Sequence, residues 1–189
     1  PVMKSNHSFD LISCFPASAE PGKAFTSVTY SNLYFREPES RADQTRMMSI
    51  VTTGAETGYY VDVFRSRKEK GGDKMHDYFY HNLGQTLTLT AADGSDLNLQ
   101  PTEELAFAGA HLYAYSYLYD KKVAATNKDV KATFTIDMKD KDGDDIYMNL
   151  WMKGEPDREV FTALAPMTEG LSRTPNMPYN IKEQPTLTF

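Results

Sequence analysis

Apolar residues along this chain recur at every second position in short runs, and the runs are separated by clusters of Gly, Asp, Asn and Pro. A period of two is the spacing of a half-buried strand, whose successive side chains point to opposite faces of a sheet. Two hairpins follow from parity. Ala132, Phe134, Ile136 and Met138 occupy even positions, and so do Ile146, Met148, Leu150 and Met152. Folding the chain about Asp142-Gly143 sets the two groups opposite each other on one face and leaves the acidic run 140–145 as an exposed loop. A second hairpin centres near Ala55, inside the turn-forming stretch 52–58, with strands over 45–51 and 59–65. Its register puts Arg46, Met48 and Ile50 on the face of Tyr60, Asp62 and Phe64. Arg46 and Asp62 then lie diagonally across the pair, close enough for a charge-assisted contact.

Further strands are expected at residues 25–35, 75–81, 86–90, 110–119 and 159–163, and another begins at 186–189. Residues 103–108 read as one helical turn and 166–185 as an extended loop. Ten or so strands at this spacing predict an all-β fold of stacked antiparallel sheets, a β-sandwich. No internal repeat or linker divides the chain, so residues 1–189 are expected to form a single domain. The start at Pro1 and the unfinished strand at Phe189 lead us to expect a C-terminal fragment of a larger protein.

Composition sharpens this picture only in places. A chain of 189 residues, 40% hydrophobic, holds a core without help from disulfides or metals. Its apolar stretches fall well short of the roughly 20 residues of a membrane helix, and no membrane partner is expected. Cys14 is the single cysteine, which excludes an internal disulfide and a multi-cysteine zinc site and is expected to be a small buried hydrophobe. A net charge of −6 argues against nucleic acid as a partner. Twelve Tyr and ten Phe against one Trp suit strands, and they suit sugar-facing or protein-facing surfaces equally.

The densest set of chemically able side chains lies in residues 59–81. Arg65, Arg67, Lys68, Lys70 and Lys74 make a local basic patch, followed by His76, Asp77, Tyr78 and His81. In one reading the cations attract an anionic ligand, and His76, Tyr78 and His81 reach it by hydrogen bonding or proton transfer. In the other, the basic run is a solvated hairpin loop. The candidate substrate-binding residues are therefore His76, Tyr78, His81, Arg67, Lys68 and Lys70. On a strand His76 and Asp77 point to opposite faces, which makes joint metal ligation awkward. The acidic loop with Asp140, Asp142, Asp144 and Asp145 lacks the spacing of an EF-hand and its terminal Glu. No metal and no other cofactor is expected. Tyr113, Tyr115, Tyr117 and Tyr119 alternate along residues 111–119, about 7 Å apart on one face, either as a ladder for sugar rings or as an aromatic core. There is no phosphate-binding glycine loop, no Gly-x-Ser-x-Gly elbow and no paired acidic motif, so no catalytic residue is assigned.

Three pieces of the chain, in order, carry a family resemblance. The first is Arg46 followed by Tyr60-Val61-Asp62-Val63-Phe64-Arg65. The second is Gly71-Gly72 leading to His76-Asp77-Tyr78 and His81. The third is Leu150-Trp151-Met152 with residues 159–166, Glu-Val-Phe-Thr-Ala-Leu-Ala-Pro. Over roughly residues 30–189 the chain resembles the C-terminal β-sheet region of heparinase II/III-like proteins, bacterial lyases of heparin, heparan and alginate. The resemblance implies a helical toroid domain as partner, an acidic, uronate-containing polysaccharide as substrate, and cleavage by β-elimination. It also implies a periplasmic or secreted protein. The family's catalytic residues and its metal site lie upstream of the matching region, so the resemblance gives this chain a supporting role with no activity of its own. A freestanding carbohydrate-binding module and a scaffold domain are the alternatives.

Overall fold

A computed structural model describes residues 9–16, 27–38, 41–72, 77–105, 118–138, 143–165 and 186–188. The described residues are all-β, with twelve strands in three antiparallel sheets. The chain divides into two compact units, residues 1–76 and 77–189. Charge divides with them: the first unit has ten Lys and Arg against nine Asp and Glu, the second ten against seventeen.

The first unit is a meander of β1 (Asp10–Phe15), β2 (Val28–Arg36), β3 (Asp43–Thr52) and β4 (Gly58–Arg67), paired in sequence order. The β3–β4 hairpin has the expected register: Thr52 pairs with Gly58 and Ile50 with Tyr60, so the turn centres on Ala55. Thr53 and Gly54 donate their backbone N–H groups to the Thr57 carbonyl and close it. Gly58 is required where it stands, since a Cβ there would lie 2.7 Å from the Val51 carbonyl oxygen. Cys14 is half-buried in β1, opposite Ser31, and not fully interior as expected.

The second unit holds β5 (His81–Asn82), β6 (Thr86–Ala91), β7 (Gln100–Pro101), β8 (Tyr119–Ala125), β9 (Val130–Ile136), β10 (Ile146–Met152), β11 (Glu159–Ala165) and β12 (Thr186–Thr188). One sheet runs β10-β9-β6 and the other β5-β12-β11-β8-β7. The even-to-even pairing of β9 with β10 is as expected, with Ile146 opposite Ile136 and Met152 opposite Val130. This register centres the connection on residue 141, just before the predicted Asp142-Gly143 turn, because even-to-even pairs require an integer centre. Alternation then makes two faces. Leu87, Phe134 and Met148 form one cross-strand row, Leu89, Ala132 and Leu150 the next, and Ala91, Val130 and Met152 the third. These rows meet Ala124, Val160 and Leu164 of the other sheet, and the two sheets enclose the core as a sandwich. Phe134 and Val130 are its largest fully buried side chains.

Several expected elements differ. Residues 77–80 are irregular, and only His81 of the predicted 75–81 strand lies in a ladder; residues 75 and 76 fall outside the described residues. Two of the aromatic side chains here are placed by ring packing without a ladder, Tyr80 on Phe134 at 5.8 Å and Phe79 on His81 at 6.1 Å, both half-buried. The helical turn at 103–108 does not begin: residues 103–104 are irregular and Leu105 has φ 57°, a left-handed value that does not continue a helix. Residues 106–108 and residues 110–117 of the predicted strand 110–119 lie outside the described residues, as does the loop 166–185. Strands β1, β7 and most of β8 were not evident from periodicity. In β8, a turn-like Asp120 at φ 48° and two lysines interrupt the alternation.

Candidate functional site

In the first unit, three arginines gather at one end of the meander. Arg36 and Arg67 both pair with Asp43 across neighbouring strands, and Arg65 pairs with Thr45, whose other neighbour is Tyr34. Parity along β2, β3 and β4 puts all of these on one face. Arg65 and Arg67 stand about 7 Å apart along β4, two strand spacings from Arg36. The Tyr34 hydroxyl donates to Asp43 Oδ1 at 2.6 Å, and Arg36 Nη1 lies 3.8 Å from the same oxygen. That hydrogen bond, then burial and the Asp43 charge, raise the Tyr34 phenol above its usual 10.0, so Tyr34 stays a neutral donor. Asp43 is thus occupied by Tyr34 and Arg36. Among the described residues no ion pair engages Arg65, Arg67, Lys68 or Lys70. Arg65, Arg67 and Lys70 are exposed and Lys68 is half-buried. This rim of cations can take up the negative groups of a polyanion through charge-assisted hydrogen bonds.

The opposite face of the meander is different in character. Arg46 grips Asp62 with three hydrogen bonds of 2.6–3.2 Å, the diagonal contact expected from parity. Around the pair stand Met48, Ile50, Tyr60 and Phe64, all exposed, with Tyr60 the most open at 73%. An apolar surface that encloses an ion pair is suited to covering by another protein surface.

The predicted site residues are distributed as follows. Arg67, Lys68 and Lys70 belong to the first unit, Tyr78 and His81 to the second, and His76 lies outside the described residues. Tyr78 is exposed in the irregular stretch before β5. His81 is exposed on β5, its ring against Phe79. Among the described residues no three His, Cys, Asp or Glu side chains converge to hold a metal ion. Asp140 and Asp142 lie outside them. Asp145 is spent on local structure, accepting from the Met138 N–H and the Tyr147 hydroxyl. Of the tyrosine ladder only Tyr119 is described, exposed at the start of β8 beside a shallow cleft lined by Pro101, Thr102 and Lys121.

The second unit also has a charged device that the sequence reading missed. Arg158 donates to the carbonyls of Lys153 and Lys128 at 2.6 Å each, tying the β10–β11 connection to the β8–β9 turn. Burial pulls its guanidinium below the usual arginine value. Its role is structural. A lone Arg between Asp157 and Glu159 gives no sign in sequence that its partners are carbonyls.

No family model matches the chain, and no solved structure matches it. The chain is 32% identical over 143 residues to the endo-acting ulvan lyase of Formosa agariphila, a match that takes in 74% of this chain and 17% of that protein. It therefore spans less than a fifth of the relative's length. The chain is related to a polysaccharide lyase.

Proposed function

We propose that this chain is an accessory β-sheet part of a bacterial polysaccharide lyase, one that holds an acidic polysaccharide without cleaving it alone. The single observation that carries the reading is the 32% identity to the ulvan lyase along three quarters of the chain. The finer assignment, to the C-terminal region of a heparinase II/III-like protein, rests on the three sequence pieces around Arg46, His76 and Leu150. The basic rim supplies the polysaccharide contact. Arg65, Arg67, Lys68 and Lys70 have no ion-pair partner among the described residues, in a chain whose net charge is −6, and local charge of the opposite sign to the ligand concentrates it there. The open face around Arg46 and Asp62 supports a second role at the same time, as the surface that docks on the helical domain of the parent enzyme.

The test uses purified ulvan and the 1–189 chain. We expect saturable binding that weakens as salt rises, and no release of unsaturated uronate. Changing Arg67, Lys68 and Lys70 together to Ala should weaken binding by about tenfold or more. Product release by the isolated chain, or wild-type affinity in the triple variant, would overturn the respective half of the reading.

A further inference from the structure

The outer face of the β10-β9-β6 sheet takes no part in the core, and its nine positions are set by the same register that builds the inner face. Tyr147, Thr135 and Thr86 make one cross-strand row, Asn149, Thr133 and Thr88 the next, and Trp151, Lys131 and Thr90 the third. Trp and Tyr are large amphipathic side chains that a fold normally covers in good part. Here Trp151 is 57% and Tyr147 58% exposed. They stand four residues apart on one strand, about 13 Å. Between them the Thr133 hydroxyl donates to Asn149 Oδ1 at 2.8 Å, which turns the amide group of Asn149 into an oriented donor with no acceptor among the described residues.

We propose that this face is a binding platform for an acidic polysaccharide, with Trp151 and Tyr147 stacking on pyranose rings a few sugars apart. A sugar ring has an apolar C–H face and a hydroxyl rim. The platform has the complementary layout, two aromatic surfaces beside a field of one amide and five threonine hydroxyls. A protein partner would call for apolar neighbours around the aromatics, and here their neighbours are Thr, Asn and Lys. Charge selects among glycans. The unit carries seventeen acidic residues, yet none of the nine positions is a carboxylate and the one charge is the exposed Lys131, which no ion pair engages among the described residues. Asp145, bonded by the Tyr147 hydroxyl at 3.4 Å, marks the end of the platform away from Lys131. A uronate or sulfate group is therefore placed towards the Trp151 row. The inference rests on the polysaccharide reading above and assigns it a site independent of the basic rim.

Trp151 is the single Trp of the chain, so its emission reports this face directly. Titration of the 1–189 chain with purified ulvan should change that emission saturably, and hydroxyethylcellulose, a neutral glycan, should do so more weakly. By calorimetry, Trp151→Ala and Tyr147→Ala should each weaken ulvan binding about tenfold. Both should keep the wild-type melting temperature, since exposed side chains are being removed. Ulvan binding with unchanged emission and wild-type affinity in both variants would overturn the platform and leave the polysaccharide reading standing. Failure of ulvan, heparin, heparan sulfate and alginate alike to bind would sink both. An emission change produced by protein concentration alone, together with a dimer in the ultracentrifuge, would assign the face to a second copy of the chain instead.

Discussion

Asp62 shows what one side chain contributes when its partner stands among apolar rings. Its carboxylate takes three hydrogen bonds from Arg46, and both groups are partly open to water. Exposed pairs contribute up to about 1 kcal/mol, and the forked geometry places this one at the upper end of that range. Asp62→Ala should therefore lower the melting temperature by about 4–8 °C per kcal/mol lost, as expected for a unit of this size. A calorimetric scan with an unmoved transition would contradict the role. This contact was legible in the sequence because parity fixes which residues share a face. The Arg158 clamp was not, because its acceptors are backbone carbonyls, which every residue carries.

Among the elements, the hairpins were the most legible and the irregular aromatic stretch the least. Thr52 to Gly58 and Ile136 to Ile146 are close in sequence, so alternation sets both pairings, and turn chemistry also locates the turn in the first. The neighbours of β6 and β8 come from distant parts of the chain, and nothing local encodes such pairings. Residues 77–80 mimic a strand through the consecutive aromatics Tyr78, Phe79 and Tyr80, yet Tyr80 packs on Phe134 and Phe79 on His81. Candidate site residues shared this fate. Arg67 lies two residues beyond the strand 59–65 that alternation predicts, and β4 runs on to include it, whereas the outer-face pair Tyr147 and Trp151 fills the polar half of an alternation that the core half alone makes legible. Connections carry their own constraints. Gly154 donates its N–H to Asp129 Oδ1 at 2.7 Å, and a Cβ there would collide with the Asn127 carbonyl and lie 2.7 Å from the carbonyl carbon of Lys128. Gly154→Ala should cost about 1–3 kcal/mol through forced displacement of that turn, read as a lower urea midpoint at unchanged slope.

At the scale of the whole molecule, the sheets differ in how far apart in sequence their neighbours are. Every pair in the meander is consecutive, whereas in the second unit β12 lies between β5 and β11. A variant ending at residue 185 should free β5, seen as fast hydrogen exchange at residues 81–82, while the β8–β11 ladder keeps its protection. Equal protection at 81–82 in the shortened and full chains would show that β5 is held some other way. The same arrangement has a consequence for synthesis. On the ribosome the meander has all its partners once Arg67 has emerged, and it can close while the rest is still being made. His81 and Asn82 must wait through about a hundred further residues, at roughly 5–20 per second, before their ladder partner exists. The nascent chain therefore carries a finished β-sheet ahead of an unfinished one, and a chaperone that shields residues 81–82 has only a matter of seconds in which it is needed.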